Sequence, residues 1–143
     1  MQLVLPPAGR SLVVAGAALF LVGLLQGAAL DLHANPRMAL SAHLTAVQSG
    51  MAVMIAGILW SATALPGRGE TLARWSLAVG MVGLWLGITL AALTGASEVL
   101  PMAGEGYSAA PAAETAVSAV VMGSGASLTL GWVLFLWGLI RAR

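Results

Sequence analysis

Cysteine and lysine are both missing from this chain of 143 residues, and charged side chains make up only 8% of it. Without cysteine there is neither a disulfide framework nor a thiolate metal site. The single aspartate, Asp31, falls in a polar turn, and no serine sits in a nucleophile elbow, so a serine triad lacks its parts. Two histidines and few acids are too small a set for a tetrahedral zinc site. A net charge of +1 gives no reason to expect a nucleic-acid partner. The glycine-rich "GMVG" and "GSG" lie inside apolar runs, where they serve packing rather than phosphate binding. Hydrolysis and phosphoryl transfer are therefore not expected.

What the chain does have is apolar surface, 59% of its residues, more than one soluble core of this size can hide. The apolar residues gather into four runs, at 11–30, 38–65, 75–96 and 115–140, each long enough for the roughly 20 helical residues that cross a hydrocarbon layer. The expectation is an all-α integral membrane four-helix bundle, one domain over residues 1–143. Pro66, Pro101 and Pro111 fall in the connections, where a missing backbone donor does least damage. The first run also admits a reading as a cleaved signal peptide, since Arg10 precedes it. It is longer than the usual apolar region of such a peptide, and we read it as a helix.

All six cations are arginine. In a four-span arrangement Arg10, Arg68, Arg74, Arg141 and Arg143 share one side, and only Arg37 lies on the other. The positive-inside rule then puts both termini and the middle loop in the cytoplasm, with the chain multi-pass in a bacterial-type inner membrane. The turn holding His33, Asn35 and Arg37, and the loop holding Tyr107, face outward.

Helices in lipid associate through close packing of small residues. Gly83 and Gly87 form one such pair, and Gly123, Ser127 and Gly131 repeat at four-residue spacing; these faces can pack one bundle, other copies of the chain, or both. In the second run His43, Val47, Gly50, Met54 and Gly57 fall on a single helical stripe. An ionisable group inside an apolar helix is costly. His43 either hydrogen-bonds a neighbouring helix or holds the metal of a flat cofactor lying along the stripe.

The stretch "AHLTAVQSGMAVMIAGILW", with its histidine seven residues before Gly50, resembles the corresponding helix of the small membrane isomerases that include styrene oxide isomerase and hydroxylaminobenzene mutase. The order of "NPRMALSAH", a tryptophan-containing glycine-rich helix and "PMAGEGYSAAPAAE" before the last span is most similar to the mutase branch. The resemblance implies four-helix subunits assembled as homotrimers, with haem b between neighbours and His43 as the iron's axial ligand. It also implies intramolecular hydroxyl transfer, from an arylhydroxylamine to a 2-aminophenol. Where the epoxide branch has an asparagine before the motif glycine, this chain has Ser49. Its third helix has Gly83, Gly87 and Ala91 where that branch carries polar groups around the tryptophan. Aryl epoxide isomerisation is the nearest alternative, and a small membrane b-type cytochrome subunit without isomerase activity a more distant one.

On this reading Arg37, Val47 and Gly50 join His43 in holding the cofactor. Asn35, Gln48 and Glu114 are candidate catalytic residues, and Thr45, Ser49 and Tyr107 candidate contacts to a small aromatic substrate. Simpler roles stand beside these: Asn35 starts a helix, Glu114 answers a helix dipole, and Arg37 anchors the interface. Gln48 lies about 140° around the helix from His43, so it addresses a different neighbour.

Overall fold

The structure, a computed structural model, describes residues 4–142. Four long helices carry it: α1 (Pro7–Gly27), α2 (Pro36–Ile58), α3 (Gly67–Thr94) and, after the four-residue α4 (Pro101–Gly104), α5 (Pro111–Arg141). Each long helix is long and apolar enough to cross a membrane, so the chain is a multi-pass, all-helical membrane protein. The four runs are the four helices, with shifted ends. The polar segment 66–74, read above as a connection, forms the first two turns of α3. The expected second span instead stops at Ile58, followed by a 3₁₀ turn at 60–62.

Proline explains where the helices begin. Pro7, Pro36, Pro101 and Pro111 occupy the first turn of α1, α2, α4 and α5, and Pro66 is the N-cap of α3. At those places the missing N–H has no intrahelical partner to lose, and the fixed φ suits the first turn. Gly95 ends α3 in the left-handed conformation, φ 79°, donating its N–H to the Ala91 carbonyl at 2.9 Å.

The helices pair as two antiparallel hairpins, α1 with α2 and α3 with α5, joined by α2 against α3. The first hairpin is a ladder with a seven-residue step on both sides. Gly9 faces Gly57, and Gly16 faces Gly50, so closely that a Cβ on Gly16 would stand 2.6 Å from the Gly50 carbonyl oxygen and one on Gly50 2.7 Å from that of Gly16. One step further, His43 stands where the ladder would have a glycine, its ring reaching the Gly23 carbonyl and lying against Gly27, while Ala46 and Val47 pack on Gly23 itself. In the second hairpin each glycine meets a larger residue rather than another glycine: Gly80 lies against the backbone and Cβ of Leu128, Gly87 against Val121 and Gly131 against Leu77. Gly123 and Gly125 have open space around them.

Two apolar clusters fill the bundle. Leu12, Val53, Trp60, Leu77, Met81 and Phe135 lie in one, and Met38, Ile88, Val117 and Val121 in the other, with Trp85 packed against both.

Candidate functional site

His43 stands in α2 with its imidazole laid over Gly27, so tightly that a Cβ there would be 2.8 Å from the ring. Nδ1 is 2.7 Å from the Gly23 carbonyl oxygen of α1. A carbonyl only accepts, so Nδ1 carries the proton and Nε2 of the neutral ring keeps its lone pair. Nε2 has no hydrogen-bond partner among the described residues. No buried side-chain nitrogen or oxygen there is left unpaired, which puts Nε2 at the surface of the single chain. The first expectation for His43 is thus seen, one nitrogen bonding a neighbouring helix, while the other nitrogen has no partner within the chain.

Within the single chain, the rest of the expected cofactor stripe is covered. Gly50 is buried against Gly16 and Phe20, and Val47 packs on Gly23, so α1 already fills the stripe along which a flat group was expected to lie. The reason is the glycine ladder of α1, whose spacing matches that of α2.

Four other candidates gather in the cap at one end of the bundle. Asn35 is fully buried; its Oδ1 accepts from the Met38 N–H at 3.0 Å, capping α2, and its Nδ2 donates to the Ala103 carbonyl of α4 at 3.0 Å. Glu114 is buried as well, and its two carboxylate oxygens take the N–H groups of Ser97, Glu98 and Ala109 at 3.0–3.1 Å. Arg37, exposed, donates to the Glu105 carbonyl and lies 3.9 Å from its carboxylate. Tyr107 is exposed, its carbonyl accepting from the Ser97 hydroxyl at 2.9 Å. The polar atoms of Asn35 and Glu114 are thus committed to holding loop 95–110 over the helix ends. His43 lies about 12 Å further along α2 than Asn35 by helical rise.

On the opposite face of α2, Gln48 and Ser49 line a groove of about 190 Å³ with Ala52, Val53, Leu128 and Trp132. Gln48 is exposed, and its amide has no hydrogen-bond partner among the described residues. Thr45 is half-buried on the same helix.

Gln26 completes the picture, and the reading from sequence passed over it. This last-turn residue of α1 is buried; its Oε1 accepts from Trp85 Nε1 at 2.8 Å, and its Nε2 donates to Thr89 Oγ1 at 3.1 Å. The available signal was a lone amide closing an otherwise apolar run.

Within one chain, the described residues include no group of three histidine, cysteine or acidic side chains able to hold a bare metal ion. A single imidazole nitrogen suits a metal whose other positions are supplied from elsewhere.

A sequence model of the styrene oxide isomerase family matches residues 8–140. The hydroxylaminobenzene mutase HabB of Ectopseudomonas oleovorans is 37% identical over 138 residues, covering 95% of this chain and 84% of its own length. HabA from the same organism is 32% identical over 131 residues, covering 91% and 97%. No solved structure matches the chain. The arrangement around His43 therefore sits in a membrane isomerase, and the chain belongs to the styrene oxide isomerase family.

Proposed function

We propose that this isomerase converts arylhydroxylamines of the hydroxylaminobenzene type into 2-aminophenols, with haem b held by His43. One observation carries the substrate class: two relatives that align with more than nine-tenths of the chain are both hydroxylaminobenzene mutases. The reaction moves a hydroxyl from nitrogen to the ortho ring carbon. The N–O bond breaks, a C–O bond forms, the ortho proton leaves carbon and nitrogen gains one, so no external oxidant or reductant takes part.

Of the residues expected to hold the cofactor, His43 fits it. The Gly23 carbonyl fixes the tautomer of His43, an arrangement typical of ligating imidazoles, whose second nitrogen is held by a backbone carbonyl or carboxylate. Held by His43, haem iron would supply Lewis acidity. The protein's own share is binding, orientation and dryness. The hydrocarbon surroundings exclude the water that would trap a nitrenium-like cation, and keeping the departing hydroxyl near the ring favours its return to the ortho carbon. The groove at Gln48 and Ser49 has the size for one aromatic ring, with the Trp132 indole beside an unsatisfied amide.

Gln48 lies well around α2 from His43, and on α5 both Gly123 and Gly125 have open space around them. This supports a homotrimer in which haem lies between copies and Gln48 serves a neighbour's cofactor. Four of the described arginines, Arg10, Arg68, Arg74 and Arg141, lie at one end of the helices, and Arg37 at the other. That asymmetry supports cytoplasmic termini in a bacterial-type inner membrane. The epoxide reading retains one argument, the name of the matching family.

The test is the visible spectrum of the protein purified in mild detergent, before and after dithionite, followed by incubation with hydroxylaminobenzene and styrene oxide. We expect a Soret band that shifts on reduction and is absent in His43→Ala, and 2-aminophenol as the product. A colourless protein after haem supplementation would remove the cofactor, and turnover of styrene oxide alone would reassign the substrate.

A further inference from the structure

The last turn of α1 is held from two sides. On the α2 side the Gly23 carbonyl meets His43 Nδ1 at 2.7 Å, and the ring lies against Gly27 with no space for a side chain there. On the α3 side the Gln26 amide spans two residues one turn apart, Trp85 and Thr89. Its orientation is fixed by chemistry, since an indole N–H can only donate: Oε1 must face Trp85, and Nε2 is left for Thr89. A buried amide without partners is costly in an apolar medium, so this bridge resists any rotation of α1 that would break it. Elsewhere α1 touches α3 sparingly, its main contact being α2. Gln26 is therefore the polar link that sets the height and rotation of the turn carrying Gly23.

We propose that Gln26 is a positioning residue for His43. By tying the end of α1 to Trp85 and Thr89, it keeps the Gly23 carbonyl under Nδ1 and thereby holds the imidazole in the Nδ1–H tautomer with Nε2 free. The catalytic consequence rests on the proposed function of His43, whereas the tautomer itself does not. Removing the bridge lets the turn shift, and a shift of about 1 Å takes the carbonyl beyond hydrogen-bond distance. Nδ1 then has no reason to hold the proton.

The full-length protein, purified without haem supplementation and labelled with ¹⁵N-histidine, gives two imidazole spin systems, which His33→Gln reduces to that of His43. In the otherwise native chain we expect one dominant tautomer, protonated on Nδ1. Gln26→Leu should replace it with a mixture, Trp85→Phe and Thr89→Val should each produce part of that change, and Thr89→Ser, which keeps the hydroxyl, should restore the native signal. If Gln26→Leu does not fold, the two single-arm variants carry the test. A dominant Nε2–H tautomer in the native chain would overturn the proposal. So would an unchanged His43 signal in all three bridge variants while their melting temperatures fall, since that is what a purely structural bridge gives. The haem reading is judged separately, by the Soret band of the supplemented protein: tautomer loss without any haem in the parent would keep Gln26 as positioning residue and discard the cofactor.

Discussion

The two long faces of α2 carry polar groups into apolar surroundings and treat them differently. Towards α1, His43 occupies a rung of a glycine ladder and finds a backbone carbonyl. Away from α1, Gln48 stands exposed beside Ser49 and Trp132, with no partner among the described residues. One face is closed by contacts within the chain, and the other is left open to whatever approaches from the bilayer. Unpaired amides in hydrocarbon are expensive, so polar residues at such positions usually have a function. On the proposed function, the first face would build the site and the second would supply it.

The largest effect comes from breaking the closed face. Gly50→Leu places a Cβ 2.7 Å from the Gly16 carbonyl oxygen, and backbone cannot yield as a flexible side chain can. We expect at least about 3 kcal/mol of destabilisation, the upper part of the range for overpacked cores, read as loss of the monodisperse peak in detergent. Retention of the wild-type melting temperature would show that α1 and α2 do not meet on this ladder. His43→Ala comes next and separates site from scaffold. The rung shrinks without steric conflict, so the protein should still insert and fold. Isomerisation should fall by more than about a hundredfold, the upper end of what even an outer-shell partner of a metal costs. Comparable activity in the alanine variant would deny His43 its role.

On the open face, Gln48→Leu should leave thermal stability unchanged, because the amide has no partner in the chain to lose. Turnover should drop about fivefold, the worth of one net hydrogen bond of roughly 1 kcal/mol. A rise in stability with full activity would mark Gln48 as a solvated residue of no consequence. The pair His43→Ala and Gln48→Leu thus tests whether the two faces differ as the packing says.

Much of this was legible in the sequence. Four long apolar runs were enough to count the spanning helices, and Pro66, Pro101 and Pro111 marked connections between them. The ends were less legible: residues 66–74 look like a polar connection, yet Glu70 accepts from Trp60 Nε1 at 3.0 Å, and the helix runs through them. His43 stood out because ionisable groups are rare in such helices. What covers its stripe did not, since the partner is decided by the matching seven-residue spacing of Gly9, Gly16 and Gly23, a periodicity visible only when two helices are compared. Asn35 and Glu114 were candidates because they are polar and lie at the outer helix ends on the side of His43. Only the three-dimensional fold shows that backbone groups use up their hydrogen-bonding atoms. Gln26 was missed because its partners, Trp85 and Thr89, are 59 and 63 residues away.

The smallest effect is expected at Gly123, and it sharpens the comparison by moving it to α5. Gly50 and Gly123 look alike in sequence, each a small residue in an apolar helix, but a Cβ at Gly123 meets nothing within 4 Å. Gly123→Ala removes a helix-interior glycine, a change worth up to about 1 kcal/mol in favour of the helix. Stability of the folded chain should therefore stay level or rise slightly, by no more than about 4 °C in melting temperature for a protein of this size. A clear fall, read together with a shift in mass by native mass spectrometry, would mean that this position is already covered by a second copy. The open face of α5 would then be an interface as tight as the ladder between α1 and α2.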